Sequence, residues 1–226
     1  MYDGSPPAVS VARMRSIDAA AIGTLGIPRL LLMDHAGLAL ARAVRTLTSA
    51  SPAPIAVCCG VGFNGGDGLA AARHLHEWGY PLRILVAGRA DRLREEPAVY
   101  ARILRGLGCA LRECATAEEA AELGSWLADA GVIIDALLGI GAAGTVREPV
   151  ASLIRRINGA GKPVVSADIP SGLDGDTGRI QGVAVRAAVT VTFGLPKRGC
   201  LIANGPAHVG ELVIDPITIP SSLLVP

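Results

Sequence analysis

Aromatic residues make up only 3% of this 226-residue chain, and its formal net charge of +1 comes without a basic block or an acidic tail. Nucleic-acid binders carry a basic stripe, and single-strand binders add stacking aromatics, so both scarcities argue against that class. Cys58, Cys59, Cys109, Cys114 and Cys200 are odd in number and form no CxxC pair. Structural zinc and a disulfide framework are therefore not expected, and reduced thiols in a cytosol are. The opening MYDGSPPAVS lacks the basic-then-apolar order of a signal peptide, and charges interrupt every apolar run before membrane-spanning length. A cytoplasmic protein without membrane contact is the expectation. No GxSxG elbow surrounds Ser171 and no Walker GxxxxGK[ST] occurs. His74 and His76, two apart on a predicted helix, point in different directions, so Ser-His-Asp hydrolysis lacks support.

What the chain does have is apolar substance. Half of its residues are hydrophobic, ample for one substantial core. Residues 1–9, rich in Gly, Ser and Pro, are expected to be disordered, and 10–226 to form a single domain. Ser10 is placed to cap a helix ending near Gly26, and Pro28 to open a second, in which Gly37 signals close packing on another backbone. Strand-like runs follow at 54–59, 81–87, 131–138, 162–169 and 187–194, with a further edge strand at 210–216. Helical patterns fill the gaps at 64–78, 94–107, 117–129 and 146–158. Short β-branched runs alternating with helices predict an α/β fold: a Rossmann-like three-layer αβα sandwich with a mostly parallel sheet and an N-terminal helical extension.

Ligands in such folds bind beyond the carboxyl ends of the strands, where glycines and acids collect here. Gly60-x-Gly62-x-x-Gly65 lies between a strand and a helix and suits the approach of phosphates. The acidic residue expected after the second strand of a dinucleotide site is absent, and Arg89 stands there instead, so ordinary dinucleotide redox chemistry is disfavoured. Asp135 interrupts the apolar VIIDALL, and a buried carboxylate needs a cation or donors. Asn64, Asp135 and Ser171 are hard oxygen ligands able to form a cation site, or else Asp135 caps loop amides. Asp168, in SADIPSGLDGDTG, is a candidate acid/base or a turn-stabilising aspartate, while Asp174 and Asp176 brace the loop. Lys197 either orients an anionic ligand group or forms an ion pair.

Five ordered segments, MRSIDAAAIGTLGIPRLLLMDHAG, GVGFNGGDGLAAARHL, DALLGIGAAGTVREP, SADIPSGLDGDTG and VTFGLPKRG, resemble the NAD(P)H-hydrate epimerase family, the YjeF N-terminal domain. The resemblance implies an isomerase of cofactor repair. It would interconvert the R and S hydrates NADHX and NADPHX, which carry a hydroxyl on C6 of the reduced ring, for a separate dehydratase to consume. It implies a potassium ion at Asn64, Asp135 and Ser171. It implies substrate contacts from Asn64, Gly65, Gly66 and Asp67, from the loop Gly139, Ile140, Gly141, Ala142, Ala143, Gly144 and Thr145, and from Asp168 and Lys197. Asp168 is the expected catalytic residue. Water loss with re-addition and ring opening with reclosure both stay open as routes.

The chain departs from the family pattern at Phe63, where NNGGDG has its first Asn, and at Asp34, where the family has Glu. Two other readings therefore stay open: a member catalysing another isomerisation, cyclisation or dehydration of a small molecule, and a non-catalytic nucleotide-binding module. A stand-alone epimerase is expected. Its N-terminal helices pack on their own sheet or, as the resemblance suggests, on a second copy, so a homodimer is expected too.

Overall fold

The computed structural model describes residues 7–48 and 53–225. The disorder expected of residues 1–9 falls, for 1–6, outside the described residues, and at Val9 it is overturned. Val9 is buried, its N–H donates to the Pro196 carbonyl at 2.8 Å, and its carbonyl accepts from the Arg198 N–H at 3.0 Å. An apolar side chain and a satisfied backbone hold it as a parallel bridge to Lys197.

Helix α1 (Val11–Ala19) is capped by the Ser10 hydroxyl, which accepts from Arg13 N–H at 3.1 Å. It loosens into a π turn over Ala20–Thr24, and the chain then turns at Gly26, φ +71°. Helix α2 (Arg29–Leu47) follows Pro28. Seven strands come next: β1 (Ile55–Cys59), β2 (Leu82–Ala87), β3 (Leu111–Cys114), β4 (Val132–Ala136), β5 (Val164–Ala167), β6 (Val189–Phe193) and β7 (Glu211–Asp215). They form one sheet in the order β3-β2-β1-β4-β5-β6-β7, with every neighbouring pair parallel. The Rossmann-like sandwich expected from the sequence is thus present, and β7 is its edge strand.

The helices between strands are α3 (Phe63–Glu77), α4 (Glu95–Gly106), α5 (Ala117–Ala121), α6 (Gly124–Ala128), α7 (Val150–Gly159) and α8 (Arg198–Leu201). Three expectations need correction. Strand β3 was not expected, because its Leu-Arg-Glu-Cys carries two charges at a sheet edge. The single helix expected over 117–129 is two, broken where Leu123 turns inward to full burial ahead of Gly124. The helix expected from 146 begins at Val150, because Pro149 has no N–H to give and Val146 N–H is bonded to the Gln181 carbonyl at 2.9 Å.

Alternation along β1 sorts the core into two layers. Ile55, Val57 and Cys59 face α2, α3 and α4, while Ala56 and Cys58 face α5, α6 and α7. Gly37 sits at the α2–α3 crossing, where a Cβ would meet Ala70 Cβ at 2.5 Å and Ala71 N at 2.6 Å, so the close approach read from the sequence holds. β1 leads into α3 on one face and β4 towards α7 on the other. Between these neighbouring strands lies the switch point of the sheet, where open α/β folds take their ligands.

Candidate functional site

The glycine loop is shaped by backbone contact. Gly60 N–H donates to the Ala136 carbonyl at 2.9 Å, and a Cβ on Gly60 would collide with the Leu137 carbonyl oxygen. A Cβ on Gly65 would strike the Gly60 carbonyl, and one on Gly66 would meet Met33 Cε at 2.6 Å. Gly65 and Gly66 therefore stand in the packing that brings α3 onto the sheet, and neither lines the cavity described below. Asn64, on the first turn of α3, lies against the next loop: a Cβ on Gly139 would meet its Oδ1 at 3.0 Å. Its Nδ2 is buried with no hydrogen-bond partner among the described residues.

Asp135 is fully buried in β4, in register with Ser166 of β5. The Ser166 hydroxyl donates to Oδ2 at 2.8 Å and the Ser171 N–H to the same oxygen at 2.9 Å. Oδ1 accepts from the Ser171 hydroxyl at 2.6 Å and from Leu137 N–H at 3.3 Å. Leu138 N–H donates in turn to Ser171 Oγ at 2.9 Å, which ties Ser171 to the loop beside Asn64. Burial raises the Asp135 carboxyl above its ordinary range, against the pull of these bonds. Every donor to this carboxylate is neutral, and no salt bridge reaches it among the described residues. Among the described residues no group of three or more His, Cys, Asp or Glu is placed to hold a metal ion, and the serine hydroxyls around Asp135 are hard oxygens.

Asp168 follows β5 with φ +66°, the left-handed region that Asp tolerates better than most side chains. Its Oδ1 takes the ammonium of Lys197, Phe193 N–H at 3.1 Å and Thr192 Oγ1 at 3.4 Å. Lys197 is 1% exposed, and it also donates to the Phe193 carbonyl at 2.8 Å. Of the two readings left open for Lys197, the ion pair is therefore present, and it fixes Asp168. No donor among the described residues engages Asp168 Oδ2. Asp174 and Asp176 brace the loop as expected: Asp174 Oδ1 accepts from Thr177 N–H at 2.8 Å and Asp176 Oδ1 from Val11 N–H at 2.7 Å.

These elements enclose a cavity of about 840 Å³ at the switch point. Small-molecule sites usually occupy about 300–1,000 Å³. Of the residues expected to contact substrate, Asn64, Asp67, Gly139, Ile140, Gly141, Ala142, Asp168 and Lys197 line it. Ala143, Gly144 and Thr145 do not: the loop turns away, and Thr145 Cγ2 packs at Gly182. Burial pushes the Asp67 carboxyl well above its ordinary range, reinforced by Asp168 and Asp18 and opposed by Lys197. Phe63 lies at the mouth, 47% exposed, with the Arg29 guanidinium 4.4 Å from its ring centroid.

Sequence reasoning missed the contribution of α1. Met14, Arg15 and Asp18, with Ile22 of the π turn that follows, line the cavity, and burial raises the Asp18 carboxyl to about 6, with Lys197 and Arg29 opposing and Asp168 reinforcing. The available signal was an acid inside the apolar stripe Met14, Ile17, Ala21, of which all three are buried.

Comparison with known proteins matches residues 29–199 to the model of the family described as YjeF-related protein N-terminus. The NAD(P)H-hydrate epimerase of Limosilactobacillus fermentum is 40% identical over 207 residues, 92% of this chain and 95% of its own length. The bifunctional NAD(P)H-hydrate repair enzyme Nnr of Pyrobaculum aerophilum is 46% identical over 199 residues, 87% of this chain and 39% of its own. The chain thus spans about two fifths of the bifunctional relatives it matches, 39% and 40% in two of them. Among solved structures, that of yeast ynu0, YNL200c, superposes with a TM-score of 0.77 at 26% identity, covering 92% of this chain and 87% of the yeast chain.

Proposed function

The chain belongs to the family of YjeF-related protein N-termini, and from that premise we propose that it interconverts the R and S hydrates of NADH and NADPH. The observation that carries the reading is the cavity at the switch point, lined by Asp18, Asp67 and Asp168 around the buried Lys197. Near-complete coverage of an epimerase relative supports it. The ring nitrogen and the C6 hydroxyl of the hydrate make a hemiaminal, so loss of water leaves a ring cation. Asp168, with its Oδ2 engaged by no donor among the described residues, is the carboxyl placed to stabilise that cation, which favours water loss and re-addition over ring opening.

Asp168 handles the proton at the C6 hydroxyl. Lys197, Phe193 N–H and Thr192 hold its Oδ1, which leaves Oδ2 for the substrate. Gly139–Ala142 and the first turn of α3 receive the sugar and phosphates, with the helix N-terminus favouring anionic groups. Asn64, Asp135 and Ser171 would hold a potassium ion. Their chemistry fits: a buried carboxylate with neutral donors only has charge to offset, one carboxylate suits a monovalent ion, and Asn64 brings its side-chain oxygen to the Gly139 loop that follows Asp135. When bound, the ion supplies positive charge next to the phosphate-binding loop.

The product passes to a dehydratase, in line with the bifunctional naming of the relatives. The exposed Leu25 after the π turn and Leu30 and Leu31 on the first turn of α2 support a homodimer. No helix among the described residues is long and apolar enough to cross a membrane, which is compatible with a cytoplasmic site of action. Phe63 favours a second reading, in which the same pocket isomerises a more apolar ligand.

Asp168→Asn tests the assignment. Hydrate binding by calorimetry should persist while epimerisation falls about 10²–10⁴-fold, the usual worth of a positioned acid/base group. Unchanged turnover would remove Asp168 from the chemistry.

A further inference from the structure

Inversion at C6 asks for more than Asp168 supplies. Water leaves one face of the reduced ring and returns to the other, so a proton is delivered on one side of a flat cation and removed on the opposite side. Asp168 is fixed by Lys197, by Phe193 N–H at 3.1 Å and by Thr192 Oγ1 at 3.4 Å, on a backbone at φ +66°. A carboxylate held this way serves one face.

Two other carboxyls line the cavity. Asp67 stands on the first turns of α3 with Asn64, in the loop that receives the phosphates. Asp18 stands on a separate wall, helix α1, and no hydrogen bond or ion pair reaches its carboxyl among the described residues. Arg15, on the same helix, donates to the Ile140 carbonyl at 3.0 Å and holds α1 against the second glycine loop.

Resting on the epimerase reading, we infer that Asp18 is a second catalytic residue, the acid/base group for the ring face that Asp168 does not reach. The charged groups facing it are Lys197, Asp168, Arg29 and Asp67, with Arg15 on its own helix. Burial brings its carboxyl up to about 6, so it exchanges protons near neutrality. In one direction the Asp18 carboxylic acid protonates the C6 hydroxyl and the C6–O bond breaks, its electron pair leaving with water. The lone pair on the ring nitrogen closes the C6–N1 double bond. Water then adds to C6 from the other face and gives its proton to the Asp168 carboxylate. The reverse direction exchanges the two roles, and both carboxyls re-equilibrate with solvent.

Oxygen-18 water separates the two groups. Wild type should epimerise and wash label into both epimers above the spontaneous rate. Asp18→Asn should lose epimerisation about 100-fold or more while label still enters the one epimer whose hydroxyl faces Asp168. Asp168→Asn should show the mirror pattern. Wild-type epimerisation rates for Asp18→Asn, or equal loss of exchange in both epimers with an unchanged melting temperature, would overturn the inference and leave the epimerase reading standing. A wild type that does not epimerise overturns both. One that epimerises without label overturns the water route and this role with it. Should Asp18→Asn fail to fold, the wild-type pH profile decides: exchange in one epimer follows a group near 6, and identical profiles for the two epimers overturn the inference.

Discussion

Lys197→Met isolates the buried ion pair from its packing. Lys197 is 1% exposed, and its ammonium is shared between Asp168 Oδ1, the Phe193 carbonyl at 2.8 Å and Thr192 Oγ1 at 3.3 Å. Methionine replaces the aliphatic stem at similar volume, so the loss is charge and donors. Removing one partner of a buried pair leaves an uncompensated carboxylate and costs about 3–5 kcal/mol. In a domain of this size each kcal/mol moves the melting temperature by about 2–4 °C, so the midpoint should fall by about 6–20 °C. Urea unfolding with linear extrapolation gives the free energy directly. The double variant Lys197→Met/Asp168→Asn removes the stranded charge and should recover most of the loss. A single-variant cost under about 1 kcal/mol, or a double variant no better than the single, would refute the pair as a buried, mutually compensating unit.

Three further outcomes follow from the same geometry. Gly37→Ala places a methyl 2.5 Å from Ala70 Cβ at the α2–α3 crossing, and overpacking of this kind should cost about 1–3 kcal/mol in urea titration. Ser171→Ala removes the donor at 2.6 Å to buried Asp135 and should cost about 1–3 kcal/mol while weakening the response of activity to potassium; an unchanged potassium titration removes Ser171 from the cation site. Asp18 has its folded-state carboxyl raised from 3.8 to about 6, so the folded chain holds the proton more tightly, and this group's contribution to stability is lost as pH rises from about 4 through about 6. Asp18→Asn should therefore stabilise the protein more at pH 7 than at pH 4, read by urea midpoints at both; an equal effect at both would contradict the partly buried placement of that carboxyl.

The sandwich was legible because its central strands are short, continuous and β-branched, as in VIIDA and VTVTF, and are buried at every position. β3 was not legible: its exposure pattern is that of an edge, with Arg112 and Glu113 facing water or loop, so neither alternation nor an apolar run marks it. Asn64, Asp67, Asp135, Asp168 and Ser171 stood out as polar residues at strand ends. Which groups they pair with did not, because Ser166 meets Asp135 only through β4–β5 register and Lys197, itself singled out, meets Asp168 only through the turn that follows β6. Gly65 and Gly66 lie outside the cavity lining. The GxGxxG spacing suggested phosphate approach at Gly65 and the resemblance substrate contact at both, whereas in the fold they clear room for the Gly60 carbonyl and Met33. Asp18 escaped because its importance depends on where α1 lies, and that position is set by distant contacts: Val9 with Pro196 and Arg15 with the Ile140 carbonyl.

Conversion of purified R-NADHX to S-NADHX, followed by chromatography with and without potassium and corrected for the spontaneous rate, is the most direct measurement. Conversion well above background, faster with potassium, is the predicted result. A folded protein that gives no conversion above background in either condition would contradict the epimerase assignment and leave the cavity to a different ligand.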